Sequence, residues 1–210
     1  MGEPRHPDAA KFLKERLFDD LDSFSTLEKR IIDRYEPGLE CGMAFEVFAE
    51  GYFSTYAQAE AKNVWYSNEV PPKVLEAQRL PRPPEIGYDG VIETPFGEYR
   101  TYQVKFRTNQ RLTWAEISSF IAITEHAGKR ILFTNCTTFP EKPLETTAHL
   151  YRIQGNDLER LSKADFDAIH AWLQGIDVPH EPKTPRPHQE EAITDILNGL
   201  KDNARVTATM

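Results

Sequence analysis

Between residues 43 and 60 one side of a candidate helix is almost entirely aromatic. Phe45, Phe48, Ala49, Tyr52, Phe53 and Tyr56 recur at i, i+3, i+4, i+7, i+8 and i+11, the stripe of a helix laid on a core. The stripe reads as packing surface, so other elements must supply the layer that it covers. Residues 8–35 read as helical, with a break near Ser25, where Ser25 and Glu28 have capping-box spacing. A turn at 36–42, with Pro37, Gly38 and Gly42, leads into the aromatic helix.

Downstream, Val64-Trp65-Tyr66 reads as a short strand, and the proline-rich passage 71–84 as an irregular surface insertion. Segments 86–92 and 99–106 form two strands around Thr94-Pro95-Phe96-Gly97-Glu98. A helix at 113–127, a buried strand at 130–134, another strand at 149–153 and a helix at 163–173 behind Ser162 complete a mixed α/β domain. The expected organisation is a helical extension at 1–40, a domain at 41–175, a linker at 176–187 and the start of something further at 188–210. The strand begun at Ala204–Met210 suggests a chain cut from a longer one.

Composition removes several classes. No apolar run approaches the roughly 18 residues of a membrane span, and the charged opening carries no secretory apolar region. We expect an intracellular, cytoplasmic protein with no membrane partner. Only Cys41 and Cys136 occur, and the six histidines are scattered, which argues against a disulfide framework or a histidine-built metal site. A net charge of −8 would repel nucleic-acid phosphates unless cations gather locally. They do between Tyr99 and Arg111, where Arg100, Lys105, Arg107 and Arg111 occur with no acid. This strip could receive phosphate, which makes Arg100, Arg107 and Arg111 the candidate nucleic-acid contacts.

The chemistry-bearing residues lie on the same hairpin. Proline pre-sets the first position of Pro95-Phe96-Gly97, and the glycine can take positive φ. Closing Thr94 against Glu98 then places Asp89 opposite Gln103, with Lys105 on the same face. A carboxylate and an amide oxygen are hard ligands suited to Mg²⁺, and a lysine beside them can hold an attacking water or neutralise charge on a phosphorane. The chemistry implied is phosphodiester hydrolysis. On the aromatic helix, at about 100° per residue, Glu46 falls at the margin of the stripe and Glu50 further toward solvent. Glu46 is therefore the acid expected to reach the site.

Gly42-x-x-Phe45-Glu46, Ile86-Gly87-Tyr88-Asp89-Gly90, Tyr102-Gln103-Val104-Lys105, Ser118-Ser119-Phe120 and Arg130-Ile131-Leu132-Phe133-Thr134-Asn135 follow one another as in the PD-(D/E)XK nucleases. The pattern resembles their Mrr-like branch, where glutamine commonly replaces the second acid. With Val64-Trp65-Tyr66 ahead of the Asp motif, it is similar to the nuclease module at the N-terminus of type ISP restriction enzymes and related helicase-nucleases. The resemblance covers roughly residues 40–140. It implies a restriction-endonuclease-like fold, with a four-stranded mixed sheet flanked by helices. It makes Asp89, Gln103 and the Val104 carbonyl metal ligands, Lys105 the catalytic lysine and Glu46 the helix acid. The cofactor implied is Mg²⁺, with Mn²⁺ as a substitute.

Near the C-terminus, Pro185-Arg186-Pro187-His188-Gln189 followed by a helix and a strand resembles the entry to a superfamily 2 helicase motor, in which Gln189 would recognise adenine. The 210 residues contain no G-x-x-x-x-G-K-[ST], so ATP would belong to a motor beyond them. The expected function is that of a metal-dependent DNA endonuclease in a helicase-coupled restriction or anti-phage defence enzyme, with double-stranded DNA and a fused or adjacent motor as partners and dimerisation left open. The alternative is a catalytically silent nuclease fold that binds DNA or assists assembly of the same helicase.

Overall fold

The computed structural model describes residues 6–56, 59–82, 87–139 and 149–178, together with Asp195 and Asn198. The chain divides into two compact units, Met1–Pro179 and His180–Met210. Gln189, most of the expected linker and nearly all of the segment expected to open a motor lie outside the described residues.

The first unit is mixed α/β. Its elements are α1 (Ala9–Lys14), α2 (Phe24–Arg34), α3 (Leu39–Thr55), β1 (Asn63–Tyr66), α4 (Pro72–Gln78), β2 (Gly90–Glu93), β3 (Tyr99–Lys105), α5 (Trp114–Ile123), β4 (Lys129–Thr134), β5 (Leu150–Ile153), α6 (Gly155–Leu158) and α7 (Lys163–Leu173). The strands pair in chain order into one sheet, antiparallel from β1 to β3 and parallel from β3 to β5. The sheet has five strands instead of four because Leu150–Ile153 adds to the edge of β4.

The turn acts as its residues predict. Gly97 takes φ +79°, the Thr94 N–H donates to the Glu98 carbonyl at 2.8 Å, and the register runs from Glu93 opposite Tyr99 to Gly90 opposite Tyr102. Alternation along β3 then sends Tyr102, Val104 and Phe106 into the larger apolar cluster, under α3. The aromatic stripe lands there. The Phe45 ring lies 5.3 Å from that of Phe106 and 5.2 Å from that of Phe133. Ala9, Phe12, Phe24, Leu27 and Ile31 join the same cluster, so the N-terminal helices share the core of the sheet. On the opposite face Val74 and Leu75 of α4 pack with Phe120 of α5, Tyr88 and Val91.

Three local expectations are corrected. The break in the N-terminal helix is longer than expected, and Ser23, not Ser25, caps α2 by accepting the Thr26 N–H at 3.3 Å. Ser25 instead donates to Glu159 at 2.6 Å, and the Glu28 carboxylate accepts from Asn135 at 2.7 Å. The aromatic helix begins at Leu39, ahead of the expected 43. The proline-rich passage contains α4, whose Pro72 occupies the first turn, where a missing N–H breaks no helical bond and the fixed φ suits the helix.

Candidate active site

The ladder between β2 and β3 changes at Asp89. Gly90 faces Tyr102, yet the Tyr102 carbonyl also takes the Asp89 N–H at 2.9 Å. Two residues therefore stand against one, which is a β-bulge. Tyr88 and Val91 confirm the slip: they are three apart and share one apolar cluster, whereas strict alternation would send them to opposite faces. Gly90 suits the bulge because a Cβ there would lie 2.3 Å from both the Trp65 carbonyl oxygen and the Tyr102 hydroxyl. The expected direct pairing of Asp89 with Gln103 is thus corrected. The Asp89 side chain lies in the opening between the strands, where its Oδ2 accepts the Val104 N–H at 2.6 Å.

That bond substitutes for a ladder acceptor and fixes the direction of Val104. In an antiparallel pair the N–H and C=O of one residue point to the same neighbour, so the Val104 carbonyl opens toward Asp89 as well. Withdrawal from solvent raises the Asp89 pKa, opposed by the Val104 N–H and by the Lys105 ammonium. Gln103 is buried. Its Nε2 donates to the Gly87 carbonyl at 3.2 Å, and its Oε1 has no hydrogen-bond partner among the described residues. A buried amide oxygen with no partner among the described residues is a polar group still to be satisfied. Asp89 Oδ1, Gln103 Oε1 and the Val104 carbonyl are three hard oxygen donors, which suit Mg²⁺. Among the described residues no three His, Cys, Asp or Glu side chains are grouped as a metal site.

Glu46 reaches this opening from α3. Burial lifts its pKa to about 8, the negative charge of Asp89 and then that of Asp8 add to the rise, and Lys105 opposes it. Glu46, Asp89 and Lys105 are therefore close enough to perturb one another.

Glu50, expected nearer solvent, is 3% exposed. The physical reason is that α3 is covered on nearly every side, since Ala44, Val47, Ala49 and Gly51 are buried along with the aromatic stripe, so the helix has almost no wet face. The Glu50 Oε2 faces the His6 Nε2 at 3.7 Å, too far for a hydrogen bond. The His6 Nδ1 accepts the Asp8 N–H at 3.0 Å, and the ring meets Tyr66 edge-on. Sequence reasoning missed this pair. Burial lifts Glu50 to about 8 and lowers His6 to about 4, so the folded pair holds one proton across that range, whichever member carries it. The unfolded chain loses its second proton near the ordinary histidine value of 6.5. Stability must then fall as pH rises from 6.5 to 8, by about 2 kcal/mol for one proton over that window. Urea denaturation at both pH values should show that fall, and Glu50→Gln should remove that much of it.

The basic strip is divided. Arg100 lies near the far end of β3 from Lys105, with its guanidinium on Glu60 at 2.8 Å and the Ala59 carbonyl at 3.3 Å. Arg107 pairs with Glu116 and donates to the Phe106 carbonyl, and Arg111 is exposed beside the bridge to Thr138. No helix of the described residues is long and apolar enough to cross a membrane. No protein-family model matches the chain, and no curated protein matches it.

Proposed function

We propose that the chain is a Mg²⁺-dependent DNA endonuclease domain of the PD-(D/E)XK type, working beside a superfamily 2 motor in a restriction or anti-phage defence enzyme. The observation that carries this reading is the meeting of Asp89, Lys105 and Glu46 where β2 parts from β3. Asp89, Gln103 and the Val104 carbonyl would hold the cation, which supplies charge neutralisation at the scissile phosphate and makes an attacking water more acidic. A cation there also offsets the repulsion between Glu46 and Asp89, which otherwise favours a retained proton on the Glu46 carboxyl at neutral pH. The Lys105 ammonium would orient the attacking water and balance charge on the phosphorane. Glu46 would hold a water or a second ion on the other side. The motor is inferred from Pro185-Arg186-Pro187-His188-Gln189, with Gln189 as its adenine contact.

The test is cleavage of supercoiled plasmid by the whole chain with Mg²⁺ and with EDTA, alongside a matched RNA duplex. The expected result is nicked or linear DNA bearing 5′-phosphates, formed only with the metal, and intact RNA. DNA binding with no metal-dependent cutting at any protein concentration would overturn the enzymatic reading and leave the silent DNA-binding module in its place.

A further inference from the structure

One polar side chain beside the bulge has no part in the reading above. β1 pairs with β2 so that Tyr66 stands opposite Gly90, the residue next to Asp89, and the following Ser67 N–H donates to the Asp89 carbonyl at 2.9 Å. The strand order β1-β2-β3 therefore puts Tyr66 on one flank of Asp89 and Lys105 on the other, each about 5 Å away in the pairing direction.

The Tyr66 side chain lies on the α3 side of the sheet. Val64, two residues earlier and so on the same face, packs against the apolar cluster under α3. The Tyr66 ring meets that of His6 edge-on at 4.9 Å between centroids, and the His6 Nε2 lies 3.7 Å from the Glu50 Oε2 of α3. Glu46 is one turn before Glu50 on that helix and shares its face. The ring thus stands between the sheet and the stretch of α3 that carries Glu46, and it is only half-buried.

The charges around the hydroxyl agree with this placement. Burial raises the Tyr66 pKa, a hydrogen bond from the Ser67 side chain opposes the rise, and the negative charges of Glu46, Asp8 and Asp89 add to it. Three acids from three parts of the chain act on one phenol, which keeps its proton at neutral pH and is a hydrogen-bond donor. The other half-buried or buried phenols of this kind have takers: Tyr88 donates to the Pro81 carbonyl at 3.0 Å, and Tyr35 donates to Glu15. No carbonyl or carboxylate among the described residues takes the Tyr66 proton.

We propose that Tyr66 is a further catalytic residue of the nuclease, its hydroxyl donating to a non-bridging oxygen of the scissile phosphate from the flank of Asp89 opposite Lys105. The proposal rests on the nuclease reading and adds a substrate contact to it. A lysine or arginine at this position would be drawn into an ion pair with Glu46 or Asp8, whereas a phenol stays available to a phosphate oxygen. Tyr66 lends a hydrogen bond and keeps its proton, so the balance of the hydrolysis is unaltered. The water oxygen bonds to phosphorus, the bond from phosphorus to the 3′-oxygen breaks, one water proton ends on the 3′-oxygen and the other leaves to solvent.

Tyr66→Phe is the decisive variant, because it deletes the hydroxyl and leaves the ring on His6. Plasmid cleavage with Mg²⁺ at saturating DNA, a calorimetric Mg²⁺ titration and a thermal melt are measured on the whole chain. The expected result is a cleavage rate at least tenfold below the wild type, the loss of one hydrogen bond to a charged group, with Mg²⁺ affinity and melting temperature unchanged. A packing role would not give that combination. A rate less than tenfold below the wild type overturns the proposal, as does a loss accompanied by weaker Mg²⁺ binding or a lowered melting temperature. An inactive wild-type chain overturns the nuclease reading and this contact together, whereas an active wild type with an equally active Tyr66→Phe removes the contact alone.

Discussion

Asp89→Asn should abolish metal-dependent cleavage while leaving the fold intact, and Asp89→Ala should damage both. The two substitutions separate two jobs done by one carboxylate. Oδ2 accepts the Val104 N–H at 2.6 Å and so replaces a missing ladder bond. Oδ1 is left for a cation. Asparagine can turn its carbonyl to Val104, which puts an NH₂ group where the cation would sit, so the structural bond survives and the ligand is lost. Loss of one such ligand should slow cleavage at least a hundredfold, about 3 kcal/mol in the barrier. Because its pKa is raised in the fold, ionised Asp89 works against folding at neutral pH, and the neutral asparagine variant should melt at or above the wild type. Alanine offers Val104 no acceptor, and a buried N–H left unpaired costs about 1–3 kcal/mol. Cleavage rates with Mg²⁺, calorimetric Mg²⁺ titration and thermal melts of the three proteins check this. Lys105→Ala should lose cleavage but keep Mg²⁺ binding, since lysine donates no ligand. Wild-type cleavage in Asp89→Asn would remove Asp89 from the chemistry and with it the proposed site.

The antiparallel register was legible because a three-residue turn has few ways to close. Once Pro95 and Gly97 fix the turn, Gly90 through Glu93 have one set of partners. The bulge was not read, because the extrapolation from the turn assumed unbroken alternation. Its signals were present in the sequence all the same: two apolar residues, Tyr88 and Val91, three apart, around a glycine that follows an acid. The consequence is that Asp89 enters the gap between the strands and not the face of Gln103, while the grouping of Asp89, Lys105 and Glu46 survives. Glu50 was misplaced for a related reason. Helical azimuth sorts residues into a wet and a dry face only when one face is wet, and α3 has small or apolar residues nearly all round.

Phe133→Ala should remove about 3–5 kcal/mol of stability, a large share of the about 5–15 kcal/mol that holds an ordinary domain together. The side chain is 0% exposed, and its ring is the point on β4 where the aromatic helix is seated. The rings of Phe45, Tyr52 and Phe53 lie 5.2, 5.2 and 5.3 Å away, and that of Phe48 lies 6.0 Å away. Truncation removes apolar burial, leaves a cavity beneath α3 and deletes several aromatic pairs at once. Leucine keeps most of the volume and should cost about half as much. Phe96→Ala is the internal control, because that ring is 83% exposed at the hairpin tip and its loss should stay within about 0.5 kcal/mol. Urea denaturation should move the midpoint in that order without changing the slope. The result bears on the site as well as the core, since α3 carries Glu46 and this packing helps to set the distance from the helix to Asp89. A loss below about 1 kcal/mol in Phe133→Ala would mean that α3 is not seated on the sheet through these rings, and the acid from the helix would then have no fixed place beside the metal ligands.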